Sequence, residues 1–124
     1  MTEATAPSTT ATCSGLHYVV FVHLTALPSW LGLSRDQRQE VVGEHAAPIL
    51  AAYPAVSVRW IDLEALSADS SDLLLAETED LRSWYHMIEA LRDTPLFTVP
   101  YFRLDRLLVG IEDGYRDYER AQGS

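Results

Sequence analysis

At 124 residues the chain has room for one domain, of a size that buries roughly two-thirds of its unfolded surface. Hydrophobic residues make up 48% and charged ones 22%, a balance that argues against wholesale disorder. The net charge is −9 with no basic stripe to offset it, so nucleic acid is excluded as a natural partner. All nine basic residues are Arg, which removes Schiff-base chemistry at a Lys side chain. Cys13, the only cysteine, excludes an internal disulfide or a CxxC redox or metal site, and suits a reducing cytoplasm. No signal-peptide pattern opens the chain, and nothing approaches a run of about eighteen apolar residues, so no membrane association is expected.

Residues 1–15, rich in Thr, Ala and Ser, read as a disordered tail, and residues 16–124 as a single domain. HYVVFVHL, from His17 to Leu24, is a strand. It sets Tyr18, Val20, Val22 and Leu24 on one face and His17, Val19, Phe21 and His23 on the other. Pro28 breaks the run, with Trp30 in the connection. Ser34 is a good N-cap for a helix through Tyr53, and Pro48 predicts a kink or restart near Ala46. VSVRWID (Val56 to Asp62) alternates as a second strand, and Asp72 to Glu77 is a third, more uniformly apolar one. Thr78 is expected to cap a second helix whose apolar stripe is Leu81, Trp84, Tyr85, Ile88 and Leu91. Tyr101 to Val109 is a fourth strand, with Phe102, Leu104 and Leu108 turned inward and Gly110 ending it. A short acidic helix closes the chain.

The order β-α-β-β-α-β is the split βαβ plan, an α+β ferredoxin-like fold. It predicts a four-stranded antiparallel sheet with both helices on one face. The second face would carry His17, Val19, Phe21, His23, Ser57, Arg59, Ile61, Tyr101, Arg103 and Asp105. Its apolar members are costly to leave wet, at ~25 cal/mol per Å². A homodimer that closes the sheets over a cavity is the expected remedy.

LRDTPLFTVPYF (Leu91–Phe102), GIEDGYRDYE (Gly110–Glu119) and PSWLGLSRDQR (Pro28–Arg38) resemble the darcynin family over nearly the whole ordered chain. The resemblance implies a ferredoxin-like fold related to the dimeric α+β barrels. It carries no catalytic residues with it. Related barrels include small monooxygenases, cyclases, isomerases and haem-handling proteins, so any activity has to be argued from the residues themselves.

His23, on the open face near Phe21, is the foremost candidate for an acid/base; its plain alternative is a histidine bonded within a dimer interface. Arg59 either anchors an oxyanion of a ligand or forms a structural ion pair with Asp105 or Asp72. Phe21, Tyr101, Trp30, Trp60 and Asp72 are candidate ligand-binding residues. Asp72 with Glu77 offers a pair of carboxylates, although Glu77 is equally placed to cap the following helix. The histidines at 17, 23, 45 and 86 include no i,i+4 pair, so no metal site is expected unless the fold assembles one from separate elements. No phosphate loop, nucleophile elbow or dinucleotide fingerprint occurs, and no cofactor is expected.

These readings converge on a small cofactor-independent enzyme of secondary metabolism. It would act on a hydrophobic cyclic or polyketide-like molecule by cyclisation, isomerisation or oxygenation. A non-catalytic ligand-binding protein or dimeric interaction protein is the alternative.

Overall fold

A computed structural model describes residues 15–123, so the expected tail lies outside the described residues apart from Gly15. Four strands, β1 (Tyr18–Ala26), β2 (Val56–Asp62), β3 (Asp72–Thr78) and β4 (Phe102–Ile111), form one sheet in the order β2-β3-β1-β4. Every neighbouring pair is antiparallel. The two halves therefore interleave, and the expected βαββαβ plan is the observed one.

Alternation along β1 puts Val20, Val22 and Leu24 under the helices, fully buried, and leaves Val19, Phe21 and His23 on the opposite face. The core lies between that buried face and the helices, where Leu74, Ala76, Trp84, Met87, Leu91 and Phe102 join the β1 residues. At ~25 cal/mol per Å² this layer is the main source of stability.

The connection after β1 is partly helical. Pro28–Leu31 forms a single turn (α1), with Pro at the first position where its missing N–H costs nothing. Ser34 then opens α2 (Arg35–Val41) with a reciprocal capping box: its hydroxyl accepts from Gln37 N, and the Gln37 side chain accepts from Ser34 N. Val42–Ala46 is π-helical, and α3 (Ala47–Ala52) follows. The break has a local cause. Pro48 has no N–H for the carbonyl four residues back, and the wider turn closes instead through Ala47 N to Val42 O.

The second long helix, α4 (Leu81–Arg92), is capped by Asp80, whose carboxylate accepts from Ser83 N. Thr78, expected as the cap, instead donates to Ala55 O and accepts from Asp80 N. The buried stripe is centred on Trp84, Met87 and Leu91, spaced i, i+3, i+7, while Tyr85, expected on it, is 58% exposed. One more turn, α5 (Pro95–Thr98), is capped by Thr94 and leads into β4.

β4 departs from simple alternation. Leu24 pairs with Leu104 and His23 with Arg106, so Asp105 is an extra residue, a bulge. The bulge reverses the phase beyond it. Leu108 therefore stands opposite Phe21 on the uncovered face rather than inward, and Leu107 faces the helices opposite Val22. The strand also runs on through Gly110 to Ile111 before α6 (Gly114–Gly123).

Candidate functional site

The sheet and helices enclose a cavity of about 330 Å³. That lies at the lower end of the roughly 300–1,000 Å³ common for ligand sites. Its floor is the helix-side face of the sheet: Val22 and Leu24 of β1, Val58 and Trp60 of β2, Asp72 and Leu74 of β3, and Phe102 of β4. Strand register makes this surface continuous, since Trp60, Leu74 and Val22 stand opposite one another on adjacent strands. The roof comes from Trp30, Val42, Ala46, Leu50, Ile88, Leu91, Leu96 and Phe97. Fourteen of these fifteen residues are apolar. Asp72 is the exception.

Three aromatic rings follow one another along the cavity wall, Trp30 from the roof and Phe102 and Trp60 from the floor. Trp30 and Phe102 lie 4.8 Å apart between centroids, and Phe102 and Trp60 meet edge to face at 5.6 Å. Trp60, 49% exposed, sits at the mouth, and its Nε1 donates to Asp72 Oδ1 at 2.9 Å. Ser71 Oγ donates to the other carboxylate oxygen at 2.8 Å. The carboxylate is thus fixed in orientation, while each oxygen retains a lone pair.

Trp30, Trp60 and Asp72, three of the expected binding residues, line this cavity. Tyr101 does not; it precedes β4 and packs edge-on against Trp30 at 5.5 Å instead of standing on the uncovered face. Phe21, His23 and Arg59 stand on the opposite face of the sheet. The cavity that this chain encloses by itself is on the helix side, whereas the pocket expected behind the open face needs a second copy to close it. The physical reason is β1 alternation: Val22 and Leu24 point into the cavity, so Phe21 and His23 cannot. The roof residues Val42, Ala46 and Phe97 were missed. The π turn beside Pro48 places the first two, and only that proline hinted at an irregularity there.

The uncovered face holds a separate cluster at one end. His17 Nε2 lies 2.7 Å from Glu77 Oε1 and 3.8 Å from Glu112 Oε1, and Arg59 donates to Glu77 Oε2 at 3.2 Å. Arg59 thus pairs with Glu77, not with Asp105 or Asp72. Asp105 instead takes Arg103 at 2.7 Å, Thr25 at 2.5 Å and Ser70 at 3.3 Å. The hydrogen bond to Glu77 raises the His17 pKa above its ordinary value, with burial opposing and the charges of Glu77 and Glu112 adding to it. The same bond lowers the Glu77 pKa, against a smaller opposing effect of burial. His17, Glu77 and Glu112 bring one ligand atom each within 4.8 Å of one another, a grouping assembled from separate elements. Glu77 and Asp72 lie on opposite faces of β3, which rules out the carboxylate pair considered from the sequence.

Residues 4–123 match the darcynin family, a domain of unknown function. The chain belongs to the darcynin family. It is 43% identical over 89 residues to darcynin 1 of Acinetobacter baumannii, an alignment covering 72% of this chain and 99% of that one. To darcynin of Chromobacterium violaceum it is 50% identical over 72 residues, covering 58% and 91%. A darcynin homolog of Streptomyces avermitilis is 35% identical over 115 residues, covering 92% and 87%. Among solved structures the fold is similar to chlorite dismutase from Candidatus Nitrospira defluvii in complex with imidazole. That match has a TM-score of 0.65 and 19% identity, covering 77% of this chain and 39% of the other. The chain spans well under half the length of that structure, and the likeness concerns the fold alone. The fold of this darcynin-family chain, a four-stranded antiparallel sheet with helices on one face, is thus similar to that of the chlorite dismutases. Among the described residues no helix is long and apolar enough to cross a membrane.

Haem handling, one of the activities that the family resemblance raised, can be tested against the donors present. The lining has no His, Cys, Met or Tyr to ligate an iron axially, and Asp72 is already engaged by Trp60 and Ser71. The residues of this cavity do not fit a haem.

Proposed function

We propose that this darcynin-family chain binds a small, largely apolar cyclic molecule between sheet and helices. Asp72 would be the one group there able to accept a hydrogen bond or a proton from it. The observation that carries this reading is the cavity itself: about 330 Å³, walled by four aromatic rings, with a single carboxylate at its mouth. Such a site favours flat, hydrophobic bodies with one polar end. A cyclic or polyketide-like compound of secondary metabolism, met in the cytoplasm, has that form. Cyclisation or isomerisation by proton transfer at Asp72, without a cofactor, is the chemistry we assign to it.

Thermal-shift measurement over a panel of apolar cyclic compounds tests the binding. Stabilising compounds should lose their effect in an Ala46→Trp variant that fills the cavity. A panel with no effect, or effects that persist in Ala46→Trp, would sink the reading. With a substrate in hand, unchanged turnover in Asp72→Asn would remove the catalytic part.

A second copy closing over the uncovered face is the reading favoured by one further observation. Phe21 and Leu108, directly opposite each other on β1 and β4, are 36% and 49% exposed. In such a homodimer His23 and Arg59 would lie within or beside the interface. Their roles as acid/base and oxyanion anchor would then need a pocket made by both copies. Sedimentation of wild type and Phe21→Glu separates the cases: a dimer that dissociates in the variant supports this surface, and a wild-type monomer removes it.

A further inference from the structure

We infer that the cavity's ligand carries a basic nitrogen, held as a cation by Asp72 at the end of the aromatic floor. This rests on the cavity reading above and goes further by naming the ligand's charge and its polarity within the site.

Asp72 is the only ionisable residue among the fifteen that line the cavity. Its two hydrogen bonds come from neutral donors, the Trp60 indole and the Ser71 hydroxyl, so neither cancels its charge. A carboxylate at the mouth of an apolar cavity, with only neutral donors on it, pairs more strongly with a cationic group than with a neutral one. The neighbouring rings point to the same charge. Trp60 and Phe102 line the same cavity as the carboxylate, and ring faces within it attract cations and disfavour anions. Two guanidiniums approach the other rings, Arg38 5.8 Å from Trp30 and Arg92 5.6 Å from Phe97, but neither lines the cavity. Arg38 is directed instead to the carbonyls of Trp30 and Leu31. The net charge of −9 adds a field that concentrates cations at the mouth.

The position of Asp72 sets the orientation. It stands beside half-exposed Trp60 at the mouth, whereas Leu91, Leu96 and Phe102 behind it are buried. The nitrogen therefore faces outward and the hydrocarbon body enters first.

Three probes of one size separate the possibilities by calorimetry on the full chain: naphthylmethylamine, naphthylmethanol and naphthoate. A charged hydrogen bond to Asp72 predicts that the amine binds about tenfold more tightly than the alcohol, with naphthoate weakest. In Asp72→Asn the amine should fall to the level of the alcohol, while the alcohol changes little. Equal binding of amine and alcohol by the wild type, or preference for naphthoate, would overturn this inference and leave the cavity reading standing. Binding by none of the three would remove both. The wild-type comparison decides the matter even if the variant fails to fold.

Discussion

Trp60 on β2 and Asp72 at the start of β3 share a 2.9 Å hydrogen bond that turns an indole and a carboxylate into one rim of the cavity. The bond is local to the mouth, and Trp60 is half exposed, so water can replace either partner. Trp60→Phe should therefore lower stability by under ~1 kcal/mol, measured by chemical denaturation. It should still weaken ligand binding, because the freed carboxylate loses its fixed orientation. A stability loss of several kcal/mol would mean that the pair supports the fold rather than the site.

Ala46 sits in the π turn with its methyl group on the cavity wall. Ala46→Leu adds three carbons to empty apolar space, and cavity filling of this kind is worth about 1 kcal/mol. Thermal melting should rise by several degrees while the added stabilisation from naphthylmethylamine disappears. A lower melting temperature would show that the space collapses readily around the native alanine.

Much of the fold could be read from alternation and capping residues. Val20, Val22 and Leu24 define the buried face of β1 by period alone, and Ser34 and Pro48 mark the start and the break of the first long helix. The errors lie where one residue changes a phase. The extra Asp105 turns Leu108 outward, and no pattern of apolar residues announces a bulge. Tyr85 lies off the buried stripe, because helical spacing admits both a Leu81–Tyr85–Ile88 face and a Trp84–Met87–Leu91 face and only packing decides between them. The site was legible only in part. Trp30, Trp60 and Asp72 stood out as large or charged groups in unusual places. That they belong to the helix side, and His23 and Arg59 to the other, depends on which face the helices cover and how far apart they stand from it.

The Asp105 carboxylate is held at the bulge by Thr25, Arg103 and Ser70, and this cluster fixes the phase of half of β4. Burial pushes its pKa up, but the bonds from Thr25 and Arg103, the Arg103 charge and the Ser70 bond together bring it below the ordinary value. A lowered folded-state pKa means stability that is present above the unfolded value of 3.8 and lost as pH falls through the folded one. Asp105→Ala should cost roughly 1–3 kcal/mol at neutral pH. The gap between variant and wild type should close as the pH drops below about 4. A pH-independent gap would place the cost in packing rather than in the charge.

At the other end of the uncovered face, His17 and Glu77 make opposite contributions. The raised His17 pKa gives stabilisation that is complete below the unfolded value of 6.5 and is lost as pH rises through the folded value. The lowered Glu77 pKa gives stabilisation that is present above its unfolded value of 4.5 and lost as pH falls through the folded one. The pair is therefore strongest in mildly acidic solution, where His17 is charged and Glu77 ionised. His17→Phe should be least stable relative to wild type in that window, with the difference shrinking toward alkaline pH as His17 loses its proton. Both groups are about one-third exposed, so solvent screens the pair and the effect should weaken in high salt. Denaturation curves at three pH values and two ionic strengths check it. A difference that grows with pH would contradict the sign.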